Sequence, residues 1–152
     1  MNTVLKTWQT LSKYPFGKRL FDLGIRLYIP YTGSMSARVL ELRPGFAKVS
    51  IRDRRRLRNH LRSVHAIALA NLVEYTGNLA LACGLPDDAR FIVKSIQVDY
   101  LKKARGMITG VCDAPIVTNS IKQEITLDVA LLNGSQEKVA HGRLLTQTGP
   151  VK

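Results

Sequence analysis

The hydrophobic and polar positions change their period several times along the 152-residue chain. Residues 3 to 13 and 16 to 29 predict two short helices, with Pro15 suited to the first turn of the second helix and Pro30 marking its end. Their apolar residues form one face with lysines and arginines between them: Trp8, Leu11, Phe16, Leu20, Leu23 and Leu27. This face favours packing against the rest of the domain, and the alternative is a helix on a membrane surface.

Most of the remaining chain alternates as strands do. Residues 35 to 54 predict a hairpin whose turn is Pro44-Gly45, because apolar and polar residues alternate on the segment that follows the turn. After the break at residues 84 to 87, alternation predicts four more strands, over residues 90 to 101, 106 to 118, 121 to 132 and 137 to 148. Because the strands run mostly in sequence, we expect an antiparallel sheet.

One long apolar stretch separates the two groups of strands. From Val64 to Cys83 the chain is rich in Ala and Leu and contains no Pro, Lys or Arg, which predicts a single long helix. A helix that is apolar on most sides must be largely surrounded, and a strongly curved sheet wrapped around it would do that. The sequence therefore predicts an α+β domain in which helix and sheet share one core.

A carboxylate, Glu74, lies near the middle of this helix. At about 100° per residue, Asn71, Glu74 and Asn78 fall within about 60° of one another and form one narrow polar stripe. One interpretation is a stripe that faces solvent. The other is a functional carboxylate, whose cost of burial the flanking amides reduce by hydrogen bonding.

The start of the same helix is a second candidate. The free N–H groups near Val64, His65 and Ala66 can bind an anion or a developing oxyanion. His65 lies roughly opposite Glu74 around the helix axis and about 13.5 Å away along it. One chain cannot easily direct both features at one substrate, whereas two chains packed side by side bring the helix start of one to Glu74 of the other. The pattern therefore predicts a site that requires a dimer.

The charge of the chain indicates an anionic partner. The formal net charge is +12, with 23 Lys and Arg against 11 Asp and Glu, which suits nucleic acid, anionic lipid or a phosphorylated ligand. Six arginines precede the long helix: Arg52, Arg54, Arg55, Arg56, Arg58 and Arg62. This run is either a solvated loop or a phosphate-binding segment. It contains no aromatic residue for base stacking, which argues against nucleic acid.

The length and the cysteines restrict the class further. Residues 1 to 152 suit one domain, and Cys83 and Cys112 lack metal-type spacing, so we expect reduced, packed thiols. The first 20 residues lack the apolar run of a signal peptide, and no run of about 18 apolar residues is available to cross a membrane. We therefore expect a cytoplasmic protein. The histidines form no metal-ligand pattern and no cofactor fingerprint is present, so we expect neither a metal nor a cofactor.

Three motifs carry a resemblance to a known family. Asn59 precedes His65 by six residues, and Glu74 follows His65 by nine. This spacing resembles that of the phenylacetate-pathway type in the hotdog-fold acyl-CoA thioesterase superfamily. The segment VDYLKKARGMITG, residues 98 to 110, and the segment NGSQEKVAHG, residues 133 to 142, resemble a strand and the last hairpin of that family. The resemblance runs from about residue 34 to the C-terminus, giving a hotdog core over 34 to 148 and an N-terminal helical extension over 1 to 30.

The resemblance implies a fold and a chemistry. The fold is a curved antiparallel sheet around one long central helix, assembled into dimers and often tetramers. Glu74, with Asn71 beside it, would be the base or nucleophile for thioester hydrolysis. From the neighbouring chain, the Ala66 N–H would polarise the carbonyl, Asn59 would position water or substrate, and His65 would orient the local backbone.

The basic residues suit the carrier of such a substrate. Coenzyme A has a diphosphate and a 3′-phosphate, which arginine binds with forked donors. The candidate phosphate-binding residues are Arg54, Arg55, Arg56, Arg58, Arg62, Lys102, Lys103 and Arg105. An acidic acyl carrier protein is the alternative carrier.

The sequence departs from the family pattern beside the site. Ala66 and Ile67 stand where the family usually has two glycines, Arg62 where Gly is common, and Lys103 where Pro is common. A backbone donor survives the change from Gly to Ala, but the added Cβ crowds an approaching thioester. A non-catalytic acyl or CoA binding protein on the same fold is therefore the second hypothesis, and nucleic-acid binding through the arginine run is the third.

Overall fold

The computed structural model describes residues 3 to 151, and Met1, Asn2 and Lys152 of the predicted domain lie outside the described residues. Its helices are α1 (Thr3–Leu11), α2 (Gly17–Tyr28), α3 (Pro30–Gly33) and α4 (Ala66–Gly84). Its strands are β1 (Arg38–Arg43), β2 (Phe46–Arg52), β3 (Ala89–Tyr100), β4 (Met107–Asp113), β5 (Gln123–Leu132) and β6 (Lys138–Pro150). The predicted order of elements is confirmed, with α3 as an addition, since Pro30 begins a short helix after the end of α2.

The six strands form one antiparallel sheet in the order β1-β2-β4-β5-β6-β3. β3 is out of chain order, because α4 carries the chain from β2 across the sheet to the far edge beside β6. The sheet curves around α4, and the N-terminal helices pack beside them. This is the α+β hotdog architecture that the motifs imply, and the fold prediction is confirmed.

The core lies between α4 and the concave face of the sheet. Alternate residues of β5 are buried as the pattern predicted: Ile125, Leu127, Val129 and Leu131. By length and mean hydropathy α4 is, among the described helices, the one that could cross a membrane, although Asn71, Glu74 and Asn78 interrupt its apolar run. Most of α4 is buried within the domain, as in the core helix of a globular protein.

Both cysteines are buried and free, so the expectation of packed thiols is confirmed. Burial raises the pKa of the Cys83 thiol to about 11 and, together with the nearby carboxylates Asp113 and Asp128, that of the Cys112 thiol to about 12. Because the thiolate is the reactive form, both thiols are inert at neutral pH.

Glycines allow α4 to lie very close to the sheet. A Cβ placed on Gly142 of β6 would lie 2.2 Å and 2.6 Å from the two γ carbons of Val73. A Cβ placed on Gly110 of β4 would lie 2.5 Å from the Thr76 hydroxyl oxygen. The short distance between α4 and the sheet therefore depends on glycine, which has no side chain, at these two positions.

Replacing Gly142 with alanine is expected to lower the free energy of unfolding by about 1–3 kcal/mol. Val73 is fully buried and its β-branched side chain is stiff, so its methyl groups cannot easily move away from the added Cβ. Gly149→Ala is the matched control, because a Cβ at this position of the same strand meets no atom within 4 Å. Denaturant titration of both variants measures the difference. Equal stability of the two variants would mean that α4 can move away from the sheet at little cost.

The N-terminal helices bury only part of the predicted apolar face. Trp8 and Phe21 are buried and meet edge to face, with ring centroids 5.2 Å apart. Four residues of the predicted packing face are instead exposed: Phe16, Leu20, Leu23 and Leu27. The prediction that they pack against the domain is wrong, because α2 has a second apolar side, with Phe21 and Ile25, and that side makes the contact.

Candidate active site

The loop before α4 is held by one asparagine. Asn59 Oδ1 accepts hydrogen bonds from the Leu61 N–H at 2.9 Å, the Ser63 N–H at 3.3 Å and the Ser63 hydroxyl at 3.2 Å. A short bridge between Arg58 and Val64 closes the loop. The oxygen of Asn59 is therefore used to shape the loop, and its Nδ2 group is the part that can contact a substrate.

His65 is the N-cap of α4. Its Nδ1 accepts a hydrogen bond from the Ile67 N–H at 3.1 Å, so in this arrangement the proton of the neutral ring is on Nε2. The Val64 N–H donates to the Ala104 carbonyl at 2.8 Å, and the His65 N–H donates to the Leu57 carbonyl at 2.7 Å. The prediction that these two N–H groups are free is wrong. The Ala66 N–H forms no hydrogen bond with residues 3 to 151 and remains available to a ligand.

Tyr100 connects the end of β3 to the start of α4. Its hydroxyl donates to the Ala66 carbonyl at 3.0 Å, and partial burial raises the pKa of the phenol. No pattern in the sequence predicted a place for this residue in the site. The aromatic position was visible in the motif of residues 98 to 110, but its contact with Ala66 depends on where β3 lies in the sheet.

The polar stripe of α4 does not face open solvent. Asn71 is buried, and Glu74 and Asn78 are half-buried, so the interpretation of an exposed stripe is wrong. The Asn71 amide oxygen accepts a hydrogen bond from the Thr32 hydroxyl at 3.4 Å. The Glu74 carboxylate has neither a hydrogen bond nor an ion pair within residues 3 to 151, so the expected contacts from its flanking amides are not formed. No described residue therefore occupies its oxygens.

Glu74 and the Ala66 N–H cannot meet on one small group in a single chain. They are eight residues apart on α4, which is about 12 Å of helix rise. A thioester carbonyl bound at Ala66 would therefore be out of reach of Glu74 from the same chain.

The basic residues are only partly available for phosphate. Arg58 binds Asp53 at 2.7 Å and holds the pKa of that carboxyl below its usual value, and Lys102 binds Glu137 at 2.7 Å. Arg56 donates to the Ser36 hydroxyl. Arg105 also lies near enough to the Asp53 carboxylate to help lower its pKa. The remaining candidates form no ion pair with the described residues: Arg54, Arg55, Arg62 and Lys103.

Two loops that carry basic residues lie side by side. The Asp53 N–H donates to the Gly106 carbonyl at 2.8 Å, and the Gly106 N–H donates to the Asp53 carboxylate at 3.4 Å. These bonds place the end of the segment of residues 102 to 105 against the start of the arginine run. Arg62 has a φ of 56°, in the left-handed region that favours glycine, which is the residue common at this position of the family pattern.

A cavity of about 300 Å³ lies under the N-terminal helices, between α2, α3, β1 and α4. Its wall includes Asp22 together with four arginines, Arg19, Arg26, Arg38 and Arg54. Burial raises the pKa of Asp22 although its carboxylate accepts a hydrogen bond from the Val39 N–H at 3.0 Å. Thr32 is also in the wall, and its hydroxyl donates to Asn71 of the polar stripe. The sequence did not predict this cavity, because its helices lie outside the family resemblance.

Comparison with known sequence families gives one match. Residues 17 to 147 match the family described as a domain of unknown function, DUF4442. A search of curated proteins gives no significant match. The family match therefore carries no activity of its own.

Comparison with solved structures gives many similar folds. The genomics target APC5556 is 25% identical with a TM-score of 0.83, over 97% of this chain and 99% of that one. PA5026 from Pseudomonas aeruginosa, named a probable thioesterase, is 21% identical with a TM-score of 0.76, over 83% and 91%. The E. coli PaaI protein, from the phenylacetic acid degradation operon, is 16% identical with a TM-score of 0.69, over 85% and 89%. The chain thus belongs to the DUF4442 family and has the fold of the hotdog thioesterase superfamily that its motifs resemble.

Proposed function

We propose that the protein hydrolyses the thioester of an acyl-CoA, or of an acyl carrier protein, at a site between two chains. The observation that carries the proposal is the half-buried Glu74 carboxylate, which no residue from 3 to 151 neutralises or binds. It stands nine residues after His65, at the spacing of the thioesterase motif. The name of PA5026, a protein of the same fold, supports the same class of reaction.

The free edge of β3 supports assembly into a dimer. Within the described residues β3 pairs with β6 alone, which leaves the backbone groups of its other edge unpaired. Ile92, Ile96 and Tyr100 are exposed on this strand. A second copy pairing along β3 would continue the sheet and cover them. Because Tyr100 also contacts Ala66, this edge lies beside the start of α4, where the partner chain would bring its own groups.

The proposed chemistry uses one helix start and one carboxylate. The Ala66 N–H of one chain binds the thioester oxygen, and it stabilises the oxyanion by about 3 kcal/mol as the tetrahedral intermediate forms. Glu74 of the other chain takes a proton from water, whose oxygen attacks the carbonyl carbon. The C–S bond then breaks, and the thiolate leaves and receives that proton. His65 caps α4 and so holds the Ala66 N–H in place without transferring a proton.

The unpaired cations near the helix start would bind the phosphates of coenzyme A. Arg55, Arg62 and Lys103 form no ion pair with the described residues, and Arg105 acts on the Asp53 carboxylate without forming an ion pair with it, whereas Arg58 and Lys102 are held in salt bridges. Coenzyme A enters this reaction as part of the substrate, and the other reactant is water. We place the reaction in the cytoplasm, where acyl-CoA and acyl carrier protein are made and used.

The test is a panel of acyl-CoAs with short, long and aromatic acyl groups, followed by release of free thiol. We expect turnover on at least one member of the panel, and the preferred member names the acyl class. Absence of turnover on all of them would contradict hydrolysis. If CoA compounds nevertheless raise the melting temperature, the protein is an acyl-CoA binder, which the exposed Ile67 beside the Ala66 donor favours.

A further inference from the structure

Helix α2 has an apolar side that no residue from 3 to 151 covers. Leu20, Leu23 and Leu27 are 57%, 48% and 73% exposed, and Phe16, just before the helix, is 74% exposed. At about 100° per residue the three leucines fall within about 60° of one another. They therefore form a continuous stripe on the side opposite to Phe21, which is packed in the domain. We call Phe16, Leu20, Leu23 and Leu27 the outer stripe.

Tyrosines stand at both ends of the outer stripe. Tyr14 precedes it, and Tyr28 and Tyr31 follow it, and all three side chains are more than half exposed. A tyrosine ring has an apolar body and a polar hydroxyl, which suits the boundary between water and hydrocarbon. A cluster of exposed large apolar side chains of this kind marks an interaction surface rather than an ordinary protein surface.

The same segment is strongly basic. Residues 3 to 33 contain five cations, which are Lys6, Lys13, Lys18, Arg19 and Arg26, and a single carboxylate, the half-buried Asp22. Arg19 and Arg26 lie along one flank of the outer stripe and are exposed. Arg54 lines the same cavity as these two arginines, so the basic flank extends beyond the helix. Lys18 is not part of this flank, because its ammonium group donates to the Leu40 carbonyl.

This charge distribution decides between two occupants. One occupant would be a second copy of α2 that covers the outer stripe around a twofold axis. Arg19 and Arg26 would then lie near the same two arginines of the partner and be repelled by them. Asp22, the only carboxylate in residues 3 to 33, is half-buried and could not offset this repulsion. An anionic lipid surface instead offers a negative charge at the level of the arginines and hydrocarbon at the level of the leucines.

We propose that α2 lies flat on an anionic membrane surface, with the outer stripe below the lipid headgroups and Arg19 and Arg26 at the phosphates. The cavity mouth would then open at the headgroup layer, because Leu23 belongs both to the stripe and to the cavity wall. This surface is separate from Glu74 and Ala66, so membrane binding stands or falls independently of thioester hydrolysis.

The test is sedimentation of the full chain with vesicles of phosphatidylcholine, with and without phosphatidylglycerol. We expect at least tenfold tighter binding to the anionic vesicles. The double variant Leu20→Gln/Leu27→Gln is expected to lose at least tenfold of that binding, and Arg19→Gln/Arg26→Gln is expected to lose the preference for phosphatidylglycerol. The matched control is Ile116→Gln/Ile121→Gln, which removes two equally exposed apolar side chains from the loop between β4 and β5 and should bind as wild type does.

A second measurement reports insertion directly. Leu27→Trp should show a blue-shifted emission with anionic vesicles, since the new indole enters hydrocarbon, whereas Ile121→Trp should not. The proposal is overturned if the wild-type protein does not bind anionic vesicles, or if the leucine double variant binds them as tightly as the wild type does. It is also overturned if the leucine variant has a smaller oligomer than wild type while neither binds vesicles, because a second copy then covers the outer stripe. The Glu74→Gln variant should bind vesicles as wild type does.

Discussion

Glu74→Gln is expected to lower thioester turnover by about 10³-fold, while the oligomer and the melting temperature stay as in wild type. Glutamine has the same shape but cannot take a proton from water at neutral pH. Since the carboxylate forms no hydrogen bond or ion pair within the described residues, its removal breaks no structural contact there. The measurement is steady-state hydrolysis of the preferred acyl-CoA, with thermal unfolding and size-exclusion chromatography of the same sample.

The matched control for this variant is Glu41→Gln. Glu41 is an exposed carboxylate on β1 that pairs with Arg43 of the same strand at 3.0 Å, away from α4. Its replacement should leave turnover unchanged. Wild-type rates in Glu74→Gln would end the role of this carboxylate as base or nucleophile, whatever the substrate.

Ala66→Pro is expected to lower kcat by about 10²–10³-fold without breaking α4. Ala66 is the first residue of the helix, where proline is tolerated and removes only an N–H that has no partner in the helix. The preceding residue, His65, has a φ of −63° and a ψ of 142°, the extended conformation that a following proline requires. The variant therefore deletes one donor and leaves the helix, its cap and the carbonyl bonded by Tyr100 in place.

Ala66→Gly is the control for the donor, because it keeps the N–H and removes the Cβ. It should match or exceed the wild-type rate, and a gain would show that the methyl group crowds the thioester. Loss of activity in Ala66→Pro together with loss of the helical circular dichroism would not count as loss of a donor. A folded Ala66→Pro variant with wild-type kcat contradicts the proposed oxyanion site.

Mixing the two inactive variants tests whether the site is shared. In an equal mixture that re-forms dimers at random, half of the dimers contain one chain of each variant. Such a dimer has one site with both defects and one intact site, so about a quarter of the wild-type activity should return. If Glu74 and Ala66 acted within one chain, mixing would restore nothing.

The sequence predicted the fold well because periodicity reports which side of an element is buried. β5 follows this rule. The hairpin follows it only in part, because a bulge between Val39 and Glu41 shifts the register of β1 and because Ser50 of β2 is buried. The pattern failed on α2, since two of its sides are apolar and a helical period does not say which one meets the domain. The edge position of β3 was also hidden, because alternation within a strand carries no information on its neighbours.

The candidate site was visible in part. Glu74 could be predicted because a carboxylate in an apolar helix is unusual. Its spacing from His65 also indicated a resemblance to the thioesterase superfamily. The surroundings of Glu74 were not predictable. The neighbouring Asn71 accepts a hydrogen bond from Thr32, which is 39 residues away in the chain. Likewise, the donors of Val64 and His65 are used by Ala104 and Leu57, through contacts that only the folded chain creates.

The close seating of α4 on the sheet limits how this chain can diverge. The residue opposite Val73 has to stay as small as Gly142 unless position 73 shrinks at the same time, so these two positions can change only together. At Gly149 and Gly134 a Cβ would meet no atom within 4 Å, so the space at these positions admits a larger residue. Changes in descendants of this protein would then collect in the N-terminal helices and the surface loops, while the contact between α4 and the sheet is inherited unchanged.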